Sequence, residues 1–286
     1  MTHHARLNLI MLITIAGLLL FLYFKPQPES IQEFPIASNS IDSIQTIRIA
    51  KQQEEIVLQR QANHWYLVDP VHFRANERKV KEILKILLAK SNHRFPLQDL
   101  ARFGLDRPNL HLYFDGDYFG FGGYAPITNQ QYVLTSDYVY LVSPHYALSL
   151  PIKASSLISL QLLADDEIPV KFEFNHLVVE HSNGGWNGII QNGDNPQDAD
   201  AEHWVQFWQT ATAREVTLVK EQALTDDFVE INNLTIRLRD GQVINLKIMQ
   251  NENEIVFSRT DTGISYHFAI GTGERLLAPS ESKSAQ

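Results

Sequence analysis

The segment LHLYFDGDYFGF, residues 110–121, decides the fold class of this chain. Large apolar residues alternate with other residues on both sides of Asp115-Gly116. An Asp-Gly pair between alternating strands favours a tight hairpin turn, because that turn requires positive φ. Residues 234–249, LTIRLRDGQVINLKIM, repeat the arrangement around Asp240-Gly241. Each segment therefore predicts an antiparallel β-hairpin.

The signals before the two hairpins also follow one order. A strand with Trp65 precedes a helix predicted over residues 77–89, and a strand with Trp186 precedes a helix predicted over residues 196–213. The first helix has the apolar spacing of an amphipathic segment, formed by Val80, Ile83, Leu84, Leu87 and Leu88. In the second helix, the residues expected to be buried are Trp204, Phe207, Trp208 and Ala211. This repeated order indicates an internal duplication.

The duplication predicts an α+β fold of two tandem modules after an N-terminal transmembrane helix. Each module is expected to be a curled antiparallel sheet with one packed helix. The predicted segments are a cytoplasmic N-terminus (1–6), a transmembrane anchor (7–24), a stalk (25–40), a first module (41–150), a connector (151–168), a second module (169–270) and a disordered tail (271–286). The connector is expected to be partly helical over residues 157–163.

The anchor is predicted from the apolar run LNLIMLITIAGLLLFLYF, residues 7–24. As an α-helix this run would extend about 27 Å, close to the ~30 Å hydrocarbon thickness of a bilayer. A cleavable secretory signal is the alternative, but the run is longer than a signal peptide's apolar stretch and does not end in small residues. Arg6 and the terminal amine, with His3 and His4, precede the run, whereas Lys25 stands alone after it until Arg48; this favours a cytoplasmic N-terminus. We therefore expect a single-pass inner-membrane protein with its body in the periplasm.

The composition excludes several classes of function. The formal net charge is −9, whereas a nucleic-acid partner requires concentrated Lys and Arg. The chain has no Cys, which excludes disulfides, Cys-ligated zinc and thiol catalysis. The membrane is thus the one partner that the sequence indicates directly.

Several short motifs in the first module resemble a known family. They are Trp65, Asp69-Pro70, FGLDRP at residues 103–108, Phe121-Gly122-Gly123, Tyr132-Val133 and Val139-Tyr140. Over roughly residues 44–145 the chain resembles the bacterial domain-of-unknown-function family 4340. The resemblance implies a single-span envelope protein, associated in some members with gliding-type ABC transporter components. It implies no activity and no catalytic residue.

The FGLDRP motif also has a structural interpretation. Gly104 would let the backbone turn after a short helical segment over residues 97–102, and Pro108 would lead into the strand near Leu110. We therefore expect this motif to be part of the fold rather than a ligand site.

The sequence contains no reaction motif. A G-x-S-x-G elbow, an H-E-x-x-H pair, a phosphate-binding loop and an S-x-x-K set are all missing. We therefore expect no enzymatic activity, no cofactor and no metal among the dispersed histidines. Asp165-Asp166 is expected to lie on a solvated face. Oxygen donors over residues 192–202 predict a loop before the second helix, with weak calcium binding as the alternative.

Tyrosines concentrate in the first module and are the best sequence indication of a binding face. Most are expected to pack across strands, whereas exposed ones would suit protein recognition or glycan stacking. The residues concerned are Tyr113, Tyr118, Tyr124, Tyr132, Tyr138, Tyr140 and Tyr146.

Three functions are compatible with these observations. The first is a non-enzymatic, membrane-anchored interaction or accessory protein of the cell envelope, with an envelope protein as partner and no cofactor. The second is a periplasmic binder of a glycan or lipid fragment, held between the modules or on the tyrosine face. The third is a hydrolase whose His and carboxylate groups are brought together only by folding.

Overall fold

The body of the protein consists of two antiparallel β-sheets with helices packed on them, which confirms the α+β class. The computed structural model describes residues 3–24, 32–51, 54–182, 184–190, 198–219 and 227–277. Its α-helices are α1 (His3–Phe24), α2 (Glu77–Leu84), α3 (His145–Leu148), α4 (Asp198–Thr210) and α5 (Ile270–Leu277).

The first sheet is built by the first half of the chain. Its strands and a small separate pair are β1 (Phe34–Pro35), β2 (Thr46–Lys51), β3 (Glu54–Gln61), β4 (His64–Asp69), β5 (Phe73–Arg74), β6 (Lys90–Ser91), β7 (Arg94–Phe95), β8 (Leu110–Phe114), β9 (Asp117–Tyr124), β10 (Gln131–Leu134) and β11 (Val139–Val142). The sheet order is β5-β4-β3-β2-β8-β9-β10-β11-β7, and β1 pairs with β6 beside it.

The second sheet is built by the second half of the chain. Its strands are β12 (Pro169–Phe174), β13 (Leu177–Ser182), β14 (Gly185–Ile190), β15 (Glu215–Leu218), β16 (Val229–Leu238), β17 (Val243–Gln250), β18 (Glu254–Arg259) and β19 (Ile264–Ala269). They are arranged in the order β14-β13-β12-β16-β17-β18-β19-β15.

The two sheets share one topology. In each sheet, three strands lie in reverse chain order (β4-β3-β2 and β14-β13-β12) beside four strands in chain order (β8 to β11 and β16 to β19). A short strand that follows the helix, β7 or β15, pairs with the last of these four. Trp65 and Trp186 occupy the equivalent third strands, β4 and β14, and both are buried. In the described residues, β5 has no counterpart in the second sheet. This correspondence is the arrangement that an internal duplication produces.

Both Asp-Gly pairs form the predicted hairpin turns. Gly116 has φ +110° between β8 and β9, and Gly241 has φ +89° between β16 and β17. The Asp115 carboxylate also accepts hydrogen bonds from the backbone N–H groups of Gln45 and Thr46, the shortest 2.7 Å long. This turn is therefore tied to the start of the neighbouring strand β2.

The helix in the first module ends earlier than predicted. Asn76 caps α2 by accepting a hydrogen bond from the Lys79 N–H, and the chain tightens into a 3₁₀ helix over Lys85–Leu88. Because a 3₁₀ helix has three residues per turn, the apolar stripe shifts and Leu88 points to solvent, 66% exposed. The prediction that Leu88 belongs to the buried face is wrong.

The helix in the second module buries three of the four predicted residues. Trp204, Trp208 and Ala211 are buried, and Phe207 is half-buried beside them. The predicted start of this helix, at residue 196, lies outside the described residues, as does most of the 192–202 loop.

The predicted disordered tail is wrong for residues 271–277. They belong to α5, where Leu276 is fully buried and the backbone of Gly273 lies against Ile255. The Trp208 indole N–H donates to the Leu276 carbonyl over 3.0 Å. Apolar residues at 270, 276 and 277, with a small residue at 273, suffice to pack this short helix on β18.

One continuous core joins the two sheets. It runs from Ile47 and Leu58 in the first sheet to Phe172 and Tyr266 in the second. The Phe73 and Tyr266 rings, one from each sheet, have centroids 6.5 Å apart. We call the region where β5 meets β19, together with the residues packed around it, the seam.

The helix α1 contrasts with this core. The described side chains over Arg6–Phe24 are all exposed, and the helix is long and apolar enough to cross a membrane. Such a surface is stable in lipid but not in water.

Candidate functional site

The connector crosses the seam as an extended strand rather than as the predicted helix. After a 3₁₀ helix over Ala154–Leu157, Ile158 pairs with Ala75 on one side and Gln161 pairs with Thr212 on the other. These partners precede α2 and β15, so the connector hydrogen-bonds to both modules. The expectation of a helix over residues 157–163 is wrong, because this backbone is satisfied by two strands that lie far away in sequence.

A buried charged group holds the seam together. Arg259 is only 5% exposed and its guanidinium donates to Glu167 over 2.9 Å and to Asp261 over 3.1 Å. Its charge also lies over the Phe73 ring, 5.2 Å from the centroid. Since a buried ion is stable only when paired, these contacts fix Arg259 between the sheets.

Two further polar atoms in the seam lack partners among the described residues. They are the hydroxyl of Tyr266, which is fully buried, and Nε of Arg74. Burial raises the pKa of Tyr266, so the phenol is neutral at physiological pH. Nη2 of Arg74 donates to the backbone carbonyls of Leu163 (2.9 Å) and Gln161 (3.3 Å), and Nη1 donates to the Gln161 side-chain oxygen (3.4 Å).

A cleft of about 710 Å³ opens at the seam. The first sheet, the start of α2 and the connector form its walls, with one residue from the second module. Its lining residues are Ala62, residues 64–66 and 74–78, residues 159–161, Asp165, Asp166 and Thr212. Arg74, Arg78, Asp165 and Asp166 contribute charged groups to it, and Tyr66 contributes an aromatic ring.

The electrostatics of the cleft differ between its walls. The two arginines come from the segment before and at the start of α2, whereas the two aspartates come from the connector. Burial and the nearby Arg78 lower the pKa of Lys79, against a smaller opposing effect of Glu215. Glu77 is already engaged, since its carboxylate accepts from the Trp65 N–H over 2.8 Å.

A second groove, of about 790 Å³, lies elsewhere along the seam and is more apolar. Ile56, Val71, Leu218 and Val219 line it together with Lys153. The two grooves therefore present different chemistry to a ligand.

A hydroxyl, an imidazole and a carboxylate are aligned in the second sheet. Thr217 Oγ1 lies 2.9 Å from His267 Nε2, and His267 Nδ1 lies 3.1 Å from Glu254 Oε1. This order is that of a nucleophile, base and orienting acid. Thr217 and His267 are 7% and 8% exposed, however, and they line neither of the two grooves. The contacts satisfy the hydrogen-bonding groups of a buried histidine.

The predicted tyrosine residues lie in several different environments. Tyr113 and Tyr118 are neighbours on the outer face of the first sheet, with ring centroids 5.2 Å apart. Tyr124 is 56% exposed at the end of β9, whereas Tyr140 is buried. Tyr132 packs against the FGLDRP segment, 4.8 Å from the Phe103 ring centroid.

The last two predicted tyrosines lie towards the end of the first module. Tyr138 is stacked with the Arg94 guanidinium, 4.9 Å from the ring centroid. Tyr146 stacks on His145 and packs against the core. The structure thus brings together only Tyr113 and Tyr118 as an accessible pair, and ligand binding by any tyrosine stays a prediction.

A row of side chains surrounds this pair. The Arg48 guanidinium lies 3.7 Å from the Tyr113 ring centroid, and the Tyr118 hydroxyl lies 3.0 Å from His111 Nδ1. Burial and the neighbouring Tyr113 raise the pKa of Tyr118. We call Arg48, His111, Tyr113 and Tyr118 the aromatic row.

The FGLDRP motif has the structural role that its sequence predicts. Gly104 has φ +67° and ends a 3₁₀ helix over Leu100–Phe103. This segment covers part of the outer face of the first sheet, so that Phe103, Leu105 and Val139 form a small separate core. The helical turn begins three residues later than predicted.

Comparison with family models matches residues 65–237 to Domain of unknown function (DUF4340). The match covers more than half of the chain. The chain belongs to this family. No curated protein and no solved structure matches it.

The DUF4340 match extends the resemblance seen in the sequence. It begins at Trp65 in β4, continues through the connector and ends within β16. It therefore covers parts of both sheets and all the cleft-lining residues except Ala62 and His64.

Sequence reasoning missed the cleft in this DUF4340 protein. Asp165-Asp166 was assigned to a solvated face, and both residues are indeed exposed. Nothing in the spacing linked them to Arg74 or Arg78, because these segments meet only through the connector's pairing with Ala75. The position of Arg74 and Arg78 on either side of the predicted start of a helix is only a weak sequence signal for such a cleft.

Proposed function

We propose that this DUF4340 chain is a membrane-anchored, non-enzymatic interaction protein of the cell envelope that acts as an accessory to a larger complex such as a transporter. The helix α1 would hold it in the inner membrane, and the two-sheet body would lie in the periplasm. The apolar, fully exposed surface of α1 supports the anchor. Arg6, with His3 and His4, lies before the run, whereas Lys25 is the one basic residue after it until Arg48, and this difference supports the orientation.

The observation that carries the interaction proposal is the aromatic row. Tyr and Arg side chains are enriched at the energetically important positions of protein interfaces, since they supply large contact areas with a polar end. Arg48 also pairs with Glu55 (3.2 Å), but the row has two tyrosine rings, whereas the comparable face of the second sheet carries ion pairs such as Lys171 with Glu173 (3.0 Å) and Arg237 with Glu173 (2.9 Å). The first sheet therefore offers the better surface for a protein partner.

Site-specific cross-linking in native membranes tests this proposal. A photoreactive residue replaces Tyr113 in the full chain, and a matched control places it at Thr235 on the ion-paired sheet. We expect one discrete cross-linked partner at position 113, lost in Arg48→Glu, and none at position 235. Equal cross-linking at both positions, or none at 113, would overturn the proposal.

The membrane topology needs a separate measurement. We expect the full chain to stay in the membrane after alkaline carbonate extraction and its body to be digested by protease added to spheroplasts. Release by carbonate would contradict the anchor, and protection from protease would contradict the orientation.

The proposal that the protein is not an enzyme can be tested at Thr217, His267 and Glu254, the residues with the order of a nucleophile, base and acid. We expect no covalent labelling of Thr217 by a fluorophosphonate probe, since the hydroxyl is buried. Labelling that disappears in Thr217→Val but not in the partly exposed control Thr272→Val would identify an enzyme.

Ligand binding is the second candidate function, and the cleft favours it. A volume of about 710 Å³ lies in the range of small-molecule sites, and Tyr66 adds an aromatic surface to several polar groups. A glycan or lipid fragment was the ligand expected from the sequence.

A further inference from the structure

The charged groups of the cleft are not neutralised by one another. Arg78, Asp165 and Asp166 are exposed, and in the described part of the chain their side chains form no ion pair. Arg74 donates only to neutral carbonyl and amide oxygens on Gln161 and Leu163. The cleft therefore holds Arg74 and Arg78 from one segment and Asp165 and Asp166 from another; Glu77, between the arginines in sequence, is engaged by the Trp65 N–H.

This separation is built into the backbone. Ser159 N–H donates to the Arg74 carbonyl over 2.9 Å, and Ala213 N–H donates to the Leu160 carbonyl over 2.9 Å. These bonds hold the connector between the modules, while Asp165 and Asp166 follow it by a few residues. The basic and acidic groups thus belong to segments whose relative position is fixed by hydrogen bonds.

Among the described residues, the basic part has one free guanidinium, that of the exposed Arg78. Burial and the positive charge of Arg78 lower the pKa of Lys79, and the unpartnered Nε of Arg74 is buried below the cleft surface. A carboxylate is the group that a guanidinium binds best, because two N–H donors match its two oxygens. At the acidic part, a primary ammonium would relieve the repulsion between adjacent carboxylates.

The remaining lining residues match a chain of amide groups. Asn76, Ser159, Gln161 and Thr212 line the cleft with polar side chains; each already has one hydrogen bond within the chain and can form another. A lipid fragment would use neither this remaining capacity nor the charges, and a neutral glycan would leave the charges unused. A ligand that carries both amide groups and charges is the better match.

We propose that the cleft binds a short peptide with free termini, its carboxylate beside Arg74 and Arg78 and its ammonium beside Asp165 and Asp166. This inference rests on the second proposed function, ligand binding, and names its ligand class. It requires no contact with the aromatic row.

Calorimetric titration of the purified full chain in detergent tests the proposal. The probes are triglycine, N-acetyl-triglycine, triglycine amide and the doubly capped peptide, which differ only in their terminal charges. We expect triglycine to bind at least tenfold more tightly than either singly capped form, with the doubly capped form weakest. Higher salt should weaken triglycine binding, because the contacts are between charges at a partly exposed site.

Variants assign each charge to its end of the peptide. Arg78→Ala should abolish the preference for a peptide with a free carboxylate and keep the preference for one with a free ammonium. The double variant Asp165→Asn, Asp166→Asn should keep the carboxylate preference and abolish the ammonium preference. Arg239→Ala and Glu252→Gln alter exposed charges outside the cleft and should leave binding unchanged.

Several outcomes would overturn the inference. They are the absence of triglycine binding at millimolar concentration, equal binding of all four probes, and equal loss of affinity in the cleft and control variants. Binding of N,N′-diacetylchitobiose without triglycine would instead support a glycan site. None of these outcomes alters the cross-linking pattern expected at Tyr113, so the interaction proposal is tested independently.

Discussion

The Tyr266 hydroxyl is a buried donor without a partner among the described residues, and its burial has a measurable cost. Removing it in Tyr266→Phe should raise the free energy of unfolding at pH 7 by about 1 kcal/mol, since an unsatisfied polar group is replaced by apolar surface. Chemical denaturation measures this difference. Tyr124→Phe, at a 56% exposed position, is the matched control and should change little.

The same residue predicts an alkaline dependence of stability. The folded-state pKa of Tyr266 is raised by burial, whereas the unfolded chain ionises near pH 10. Above that pH the unfolded state loses a proton that the folded state keeps, so stability falls. Relative to Tyr266→Phe, the parent chain should lose about 1.4 kcal/mol per pH unit above pH 10. Parallel stability curves for the two proteins would contradict the buried, neutral phenol.

Gly122 shows why the FGLDRP segment needs a small residue opposite it. A Cβ at this position would lie 2.5 Å from the Phe103 carbonyl oxygen and 2.7 Å from Leu105 Cγ. Gly122→Ala should therefore destabilise the chain by about 1–3 kcal/mol through overpacking. In Gly185→Ala the new methyl group meets open space, so no loss is expected. A thermal shift of equal size in both variants would exclude this close approach.

Among the elements, α5 contributes more than its length suggests. Leu276 is fully buried and its carbonyl accepts from the Trp208 indole. Leu276→Ala should cost about 2–5 kcal/mol of unfolding free energy, because it removes buried apolar volume. Glu274→Ala, on the exposed side of the same helix, is the control. If the two variants unfold at the same denaturant concentration, α5 does not pack as described.

The elements differ in how far the sequence predicts them. The hairpins at Asp115-Gly116 and Asp240-Gly241 follow from local turn chemistry, and α2 and α4 follow from apolar spacing. By contrast, α5 contains Gly271 and Gly273, which disfavour a helix locally, so only packing against Ile255 reveals it. Leu88 was misassigned because a tightening of the helix from Lys85 leaves no mark in the apolar pattern.

The seam and cleft could not be predicted from local sequence. The connector is extended because Ala75 and Thr212 supply partners for Ile158 and Gln161, and these residues are far apart along the chain. The cleft groups at 74–78 and 165–166 become neighbours only through that pairing. Long-range pairing of this kind is invisible to periodicity, even where each flanking element is correctly predicted.

For the molecule as a whole, the shared core predicts a single unfolding transition. Phe73, Arg259 and Tyr266 join the sheets, so neither sheet can lose its structure without exposing the other's core. The parent chain should give equal calorimetric and van't Hoff enthalpies, the signature of one cooperative unit. Ser159→Pro should lower the transition temperature but keep one transition, because it removes the N–H that donates to the Arg74 carbonyl and leaves the shared core in place. Ser159→Ala keeps that N–H and should lower the transition temperature less. Two transitions in the parent chain would mean that the modules fold independently and that the seam, with its cleft, is not a fixed part of the molecule.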